Sequence, residues 1–215
     1  MPPRVISVHV GQPVVHPGRL GRTAIEKKSV LGPVRVEQLG IEGDQVADVK
    51  YHGGIDQAVY AFTREDLDLW AERLGGELPD GIFGENLTTQ GIDLNESLVG
   101  ERWQIGTVTL QTALIRHPCN VFQRWMDSRG FDSTRWVKRF TQEGRAGVYL
   151  RVLQPGKLAA GDELTVVSRP DHGVTVGLMF RALTTERELL PGLLDVGDDL
   201  APAALTAVQK YVART

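Results

Sequence analysis

The sequence predicts a mostly β fold with interspersed helices, a barrel or sandwich followed by a small C-terminal helical extension. Three observations carry this. The 24 glycines and 11 prolines mark a chain rich in turns. Short β-branched or aromatic runs recur up to about residue 169, each bounded by Gly, Pro or Asp. After Pro170 that pattern stops and helical spacing takes over.

Arg4–Val10 and Val34–Leu39 alternate between apolar and polar positions, as half-buried strands do. Ala58–Phe62 is a further strand. Thr63 is placed to cap a helix reaching about Leu74, with Glu65 and Asp66 at its positive end and Leu67, Trp70 and Leu74 on one face. Gly75-Gly76 ends that helix. Val108–Ile115, Gly147–Leu153 and Glu163–Val167 read as strands, and Asn120–Met126 and Thr134–Phe140 as short helices. Three small helices are expected at Thr175–Ala182, Thr185–Leu190 and Pro202–Ala213, with Thr184 as a cap and Pro202 in a first turn. Residues 1–169 are therefore expected to form the β domain and 170–215 the extension. The extension is too small to fold alone and must dock on the barrel or on a partner.

A chain of 215 residues is long enough for one core with an appendage. Its formal net charge of −3 argues against nucleic acid, whose binders carry a basic bias. No apolar run approaches the roughly 20 residues of a membrane helix, and Met1-Pro-Pro-Arg-Val-Ile has no apolar signal core, so a cytoplasmic protein without membrane contact is expected. The single cysteine excludes an internal disulfide; such a residue is either buried filler or chemically used.

Four stretches carry chemistry. Gly43-Asp44-Gln45-Val46-Ala47-Asp48 is followed by His52-Gly53-Gly54-Ile55-Asp56. Paired glycines after a histidine permit a backbone path with exposed N–H groups that holds a polar or anionic ligand, or make a plain hairpin loop. Phe83-Gly84-Glu85-Asn86 is compatible with an ordinary turn. Arg116-His117-Pro118-Cys119 follows an apolar strand and precedes a helix, so Cys119 is expected at a helix N-terminus, where free N–H groups favour a thiolate. Pro118 supplies no competing N–H. In Gly144-Arg145-Ala146-Gly147 the arginine either approaches a phosphate or is solvated in a turn. Lys27 and Lys28 either bind an anion or guard an edge strand.

Taken together and in order, these segments resemble the MOSC family, named for the C-terminal domain of molybdenum cofactor sulfurases, and its YiiM-like branch. Thr23-Ala24-Ile25-Glu26-Lys27-Lys28, Gln57-Ala58-Val59, Val148–Leu153 and Gly161-Asp162 complete the match, which spans roughly residues 20–165. The helical tail is similar to the three-helix extension of that branch. The resemblance implies a MOSC-type β-barrel that binds the molybdenum cofactor (molybdopterin), with Cys119 as the metal ligand. It implies an oxidoreductase acting on N-hydroxylated small molecules such as hydroxylaminopurine. The family is also associated with pyridoxal phosphate binding.

On this reading Lys27, Lys28, Asn86, Arg116 and Arg145 are expected to contact the cofactor, and Cys119, His117, His52 and Asp56 to take part in catalysis, the last three as candidate proton donors. The sequence departs from the family pattern at Gln57, where a lysine is familiar, at Ile115, and at Ala146. Glutamine does not replace a lysine's charge at a phosphate or acidic substrate. A separate electron-donor reductase is expected as partner, because one cysteine builds no four-thiolate iron–sulfur site and no Gly-x-Gly-x-x-Gly opens a βαβ unit. A homodimer is compatible with the sequence. Rival readings are a sulfur carrier holding a persulfide on Cys119, a cofactor carrier without turnover, and a zinc site of His52, His117 and Cys119.

Overall fold

A computed structural model describes residues 2–50 and 52–214. In chain order the strands are β1 (Arg4–Val10), β2 (Val14–His16), β3 (Gly21–Thr23), β4 (Lys28–Ser29), β5 (Val34–Glu37), β6 (Gly40–Ile41), β7 (Val59–Thr63), β8 (Leu87–Gln90), β9 (Arg102–Ile105), β10 (Val108–Ile115), β11 (Val148–Gln154), β12 (Gly156–Leu158) and β13 (Leu164–Ser168). The α-helices are α1 (Arg64–Leu74), α2 (Asn120–Ser128), α3 (Trp136–Glu143), α4 (Val176–Thr184) and α5 (Pro202–Val212). The main sheet has the order β13-β9-β10-β11-β7-β8-β1-β4, with β7–β8 the parallel pair. Backbone bonds from Val5 N to Asp162 O (3.0 Å), Gly161 N to Val5 O (2.8 Å) and Leu164 N to Pro3 O (2.8 Å) join β1 to the start of β13. They link β13, at one end of the sheet, to β1, next to the other end, and so curve the sheet around the core.

Local chemistry explains most element boundaries. The Thr63 hydroxyl accepts from Asp66 N at 3.0 Å, and Gly75 closes α1 in the left-handed conformation. Thr175 caps α4 through Leu178 N at 3.0 Å. Thr184 is not a cap: its hydroxyl donates back to Phe180 O within α4. The expected helix from Thr185 is instead a 3-10 stretch over Arg187–Asp199, broken at Gly197. β1 departs from strict alternation because a bulge between Val5 and Ser7 lets both Val5 and Val8 face the core. Arg135, with φ 53°, delays α3 to Trp136.

An aromatic cluster ties the helices to the barrel. Phe83, Phe122, Trp136 and Phe140 are fully buried, with centroid spacings such as 4.9 Å for Phe83–Phe122 and 5.0 Å for Phe122–Trp136. The buried apolar residues form one cluster that runs from Val5 through Phe180 and Leu190 to Val208, so the C-terminal helices share the barrel's core.

Gly147 shows how tightly β11 enters. Its φ is +67°, and a Cβ there would press on the Ala61 carbonyl and lie 2.8 Å from the Phe62 ring. Gly147→Ala is expected to cost about 1–3 kcal/mol from the backbone conformation alone, with steric overlap adding to it. Urea unfolding measures this; an unchanged midpoint would show that the strand entry relaxes freely.

Candidate active site

The site is built where β10 ends. Pro118 takes the chain out of the sheet, Cys119 is extended (φ −140°, ψ 163°) at the N-cap of α2, and its carbonyl accepts from Gln123 N. Phe122, Trp125 and Met126 bury the inner face of α2, and Trp125 Nε1 donates to Ile82 O at 2.6 Å. That anchoring fixes the position of the partly exposed Cys119.

Cys119 lines a cleft of about 580 Å³ with Lys27, Asp44, His52, Asn86 and Arg116 among its walls. The volume is within the range of small-molecule sites. Arg116 is 8% exposed. Its guanidinium donates to Phe83 O, and it lies 4.1 Å from the Phe122 ring centroid and 5.0 Å from that of Tyr60. Among the described residues no carboxylate forms an ion pair with it. A buried cation without a carboxylate is costly unless another anion meets it. Tyr60 and Tyr149, which are β7–β11 register partners, share its surroundings. Burial raises the pKa of both phenols, against the opposing charge of Arg116.

Lys27 is held rather than free. Its Nζ lies 2.6 Å from Asp44 Oδ1, which also accepts from Gly11 N at 2.6 Å, while Asp44 Oδ2 accepts from Asn86 Nδ2 at 2.8 Å. Burial lowers the Lys27 pKa, and Asp44 opposes that shift. Asn86 further accepts from Tyr60 N at 3.0 Å and donates to His9 O at 3.2 Å, so it brackets three strands. The rim is formed by residues 44–49 and 52–54, where Gly53 and Gly54 both have φ +81°. His52 is exposed there; its surroundings, then Arg116, lower its pKa. Leu39 and Val49 add exposed apolar surface at the mouth, and Gln57 lines the cleft as a neutral group.

Five of the expected site residues meet in this cleft: Lys27, His52, Asn86, Arg116 and Cys119. Four do not line it. Arg145 is taken by Asp66 and by Asp93 (3.0 Å), which pins the segment leading into β11 to α1 and to the 91–98 loop; it has no free fork for a phosphate. Asp56 is paired with Arg151 at 2.5 Å, and Arg151 also donates to Asp199 O at 2.9 Å, joining the rim segment to the C-terminal extension. Lys28 is exposed on β4. His117 is exposed and close enough to Arg187 for their charges to interact; the protein around it, then Arg187, lowers its pKa. With His117 outside the cleft, the three-residue zinc site is not assembled. Among the described residues no group of three His, Cys, Asp or Glu is placed to hold a metal ion.

Sequence reasoning missed Asp44 as the residue that positions Lys27. The Gly43-Asp44 pair was visible, but nothing local distinguishes Asp44 from Asp48. It also missed His9, 2% exposed beneath the cleft, whose Nδ1 has no hydrogen-bond partner among the described residues. Burial lowers the His9 pKa, with Lys27 adding to the shift and Asp80 opposing it. The folded state thus refuses a proton that the unfolded chain accepts near pH 6.5. Stability from this group is intact above that pH and is lost as pH falls from there towards the folded pKa, by at most about 1.4 kcal/mol per pH unit. His9→Gln is expected to flatten this part of the profile. Equal slopes for the two proteins in urea titrations at about pH 7.5 and about pH 5 would overturn it.

The MOSC domain model matches residues 48–165. The chain belongs to the MOSC domain family. It is 30% identical to the uncharacterized protein YflK of Bacillus subtilis over 174 residues, covering 80% of this chain and 76% of that protein. A protein of Gibberella moniliformis named Reductase is 33% identical over 174 residues, covering 77% of this chain and 29% of the longer relative. The crystal structure of YiiM from Geobacillus stearothermophilus superposes with a TM-score of 0.81 at 26% identity, covering 98% of this chain and all of that one. The fold shared with that YiiM structure therefore includes the C-terminal helices, which lie beyond the MOSC match. MOSC proteins are associated with molybdenum cofactor binding. Among the described residues no helix is long and apolar enough to cross a membrane.

Proposed function

We propose that this MOSC protein is a molybdenum cofactor-dependent oxidoreductase that reduces N-hydroxylated small molecules, with Cys119 as the protein's ligand to the metal. The observation that carries the reading is the pairing, in one cleft, of the chain's only thiol with a buried arginine that, among the described residues, forms no ion pair with a carboxylate; the buried Glu85 acts on it only at longer range. A pterin-held metal needs a single soft protein donor rather than a cluster, and the cofactor's phosphate suits a buried guanidinium. The residues present fit that group. They fit pyridoxal phosphate poorly, since the lysine among the cleft residues, Lys27, is engaged by Asp44. The longer fungal relative named Reductase agrees with redox work in the family.

In this reading the bound cofactor supplies two-electron redox chemistry at the metal. Arg116 and Lys27 bind its anionic end, with Asp44 and Asn86 holding Lys27 in place. The apolar mouth at Leu39, Val46 and Val49 removes water from the substrate's body. Cleavage of the N–O bond of a hydroxylamine consumes two electrons and two protons and yields an amine and water. His52 is the one of the three candidate proton donors that lines the cleft, and its imidazole passes protons from solvent at the rim. Residues 1–169 act as the cofactor-binding barrel and 170–215 as its helical extension, in a cytoplasmic setting where a lone thiol stays reduced.

Chemically reduced, molybdenum-loaded protein is expected to convert hydroxylaminopurine and a simple amidoxime to their reduced products, seen by chromatography. Failure with both, while the metal is present and reducible, would favour a cofactor carrier. A protein that never retains molybdenum but carries a persulfide would be the sulfur carrier.

A further inference from the structure

Away from the cleft, a second cavity of about 440 Å³ lies between α5 and the 3-10 segment. Arg187, Lys210 and Arg214 line it, along with Ala203, Ala207 and Tyr211, and among the described residues no carboxylate does. Ala203, Thr206, Ala207 and Lys210 follow helical spacing along one face of α5, and Arg214 continues that face just past its end. All three cations are exposed. Among the described residues none of them has an ion-pair partner; Arg187 donates only to the Leu183 carbonyl, while the neighbouring Arg181 is the one that faces Glu186. Lys210 in a last turn suits the helix dipole. Arg187 comes from a different segment, so helix-end electrostatics do not account for the cluster.

The fold connects this face to the strand that leads into the candidate site. α4, which leads into the 3-10 segment, packs on β10, the strand that runs into Arg116–Cys119. Arg187 stands near the exposed His117, two residues from Cys119. The small alanines keep the groove open between the cations.

We propose that this basic groove of the C-terminal extension is the docking surface for an acidic electron-carrier protein. The inference rests on the oxidoreductase reading, which needs electrons from outside the chain. A positive face on a protein of net charge −3 orients an acidic partner and repels it elsewhere. One helix face with a few charges matches the small, charge-steered interfaces of transient redox pairs, typically under about 1,200 Å².

The test is calorimetric binding of the full-length protein to two acidic carriers, a flavodoxin and a plant-type ferredoxin, at low and high salt. Wild type is expected to bind at least one, more weakly as salt rises. The double variant Lys210→Glu with Arg214→Glu is expected to lose at least tenfold in affinity at low salt. Its melting temperature, molybdenum content and turnover with a chemical reductant should stay unchanged. Binding is measured with and without molybdenum in the protein, so a failed oxidoreductase reading shows in the metal content and a failed docking surface shows here. Equal affinity of variant and wild type, or no salt-sensitive binding to either carrier, overturns the proposal. So does a variant whose sedimentation differs from wild type, which would make the face a contact between two copies. Stabilisation of wild type alone by inorganic pyrophosphate, without carrier binding, would make it a small-anion site and overturn it as well.

Discussion

Arg116→Met leaves the protein folded and strips it of its cofactor: that is the expected result. Methionine keeps the apolar stem against Phe122 and Tyr60 and removes a charge that, among the described residues, is in no carboxylate ion pair. Removing a buried, unpaired charge relieves its desolvation cost, which offsets the lost hydrogen bond to Phe83 O. The melting temperature should therefore hold or rise. Two lost charge-assisted hydrogen bonds to an anion cost about 3 kcal/mol or more, roughly a hundredfold in affinity. Cofactor retained after dialysis, assayed as molybdenum and as pterin fluorescence, checks this. A fall in melting temperature with undiminished cofactor would make Arg116 a packing residue of α2 instead.

Arg145→Ala makes the contrast. Its guanidinium joins Asp66 and Asp93, 79 and 52 residues away in sequence, and does not line the cleft. Both arginines sit in motifs that read alike as phosphate contacts, and nothing local separates them. What separates them is which carboxylates the fold brings near, a long-range fact that no spacing records. The same holds for Asp56 and Arg151. By contrast, Thr63 and Gly75 were legible, because those caps are decided within four residues. Val108–Ile115 was legible because its side chains are buried on both faces and the run is apolar throughout. The β1 bulge was not, since it answers to β8 across the sheet. The cleft's tyrosines were hidden for a similar reason: Tyr60 and Tyr149 read as strand residues until the register between β7 and β11 sets them side by side.

The thiol is the point on which the functional account turns. Cys119 is partly exposed at the head of α2, and its removal takes little from the core, so Cys119→Ala should change stability by less than about 1 kcal/mol. Its effect on function should be complete, because no second cysteine exists to replace it. Molybdenum analysis with X-ray absorption at the metal edge, on wild type and Cys119→Ala made in a cofactor-competent host, tests this most directly. Wild type should contain molybdenum with a protein sulfur among its ligands, and Cys119→Ala should be a folded protein that has lost the metal. Full molybdenum occupancy in Cys119→Ala, with an unchanged sulfur shell, would contradict Cys119 as the metal ligand.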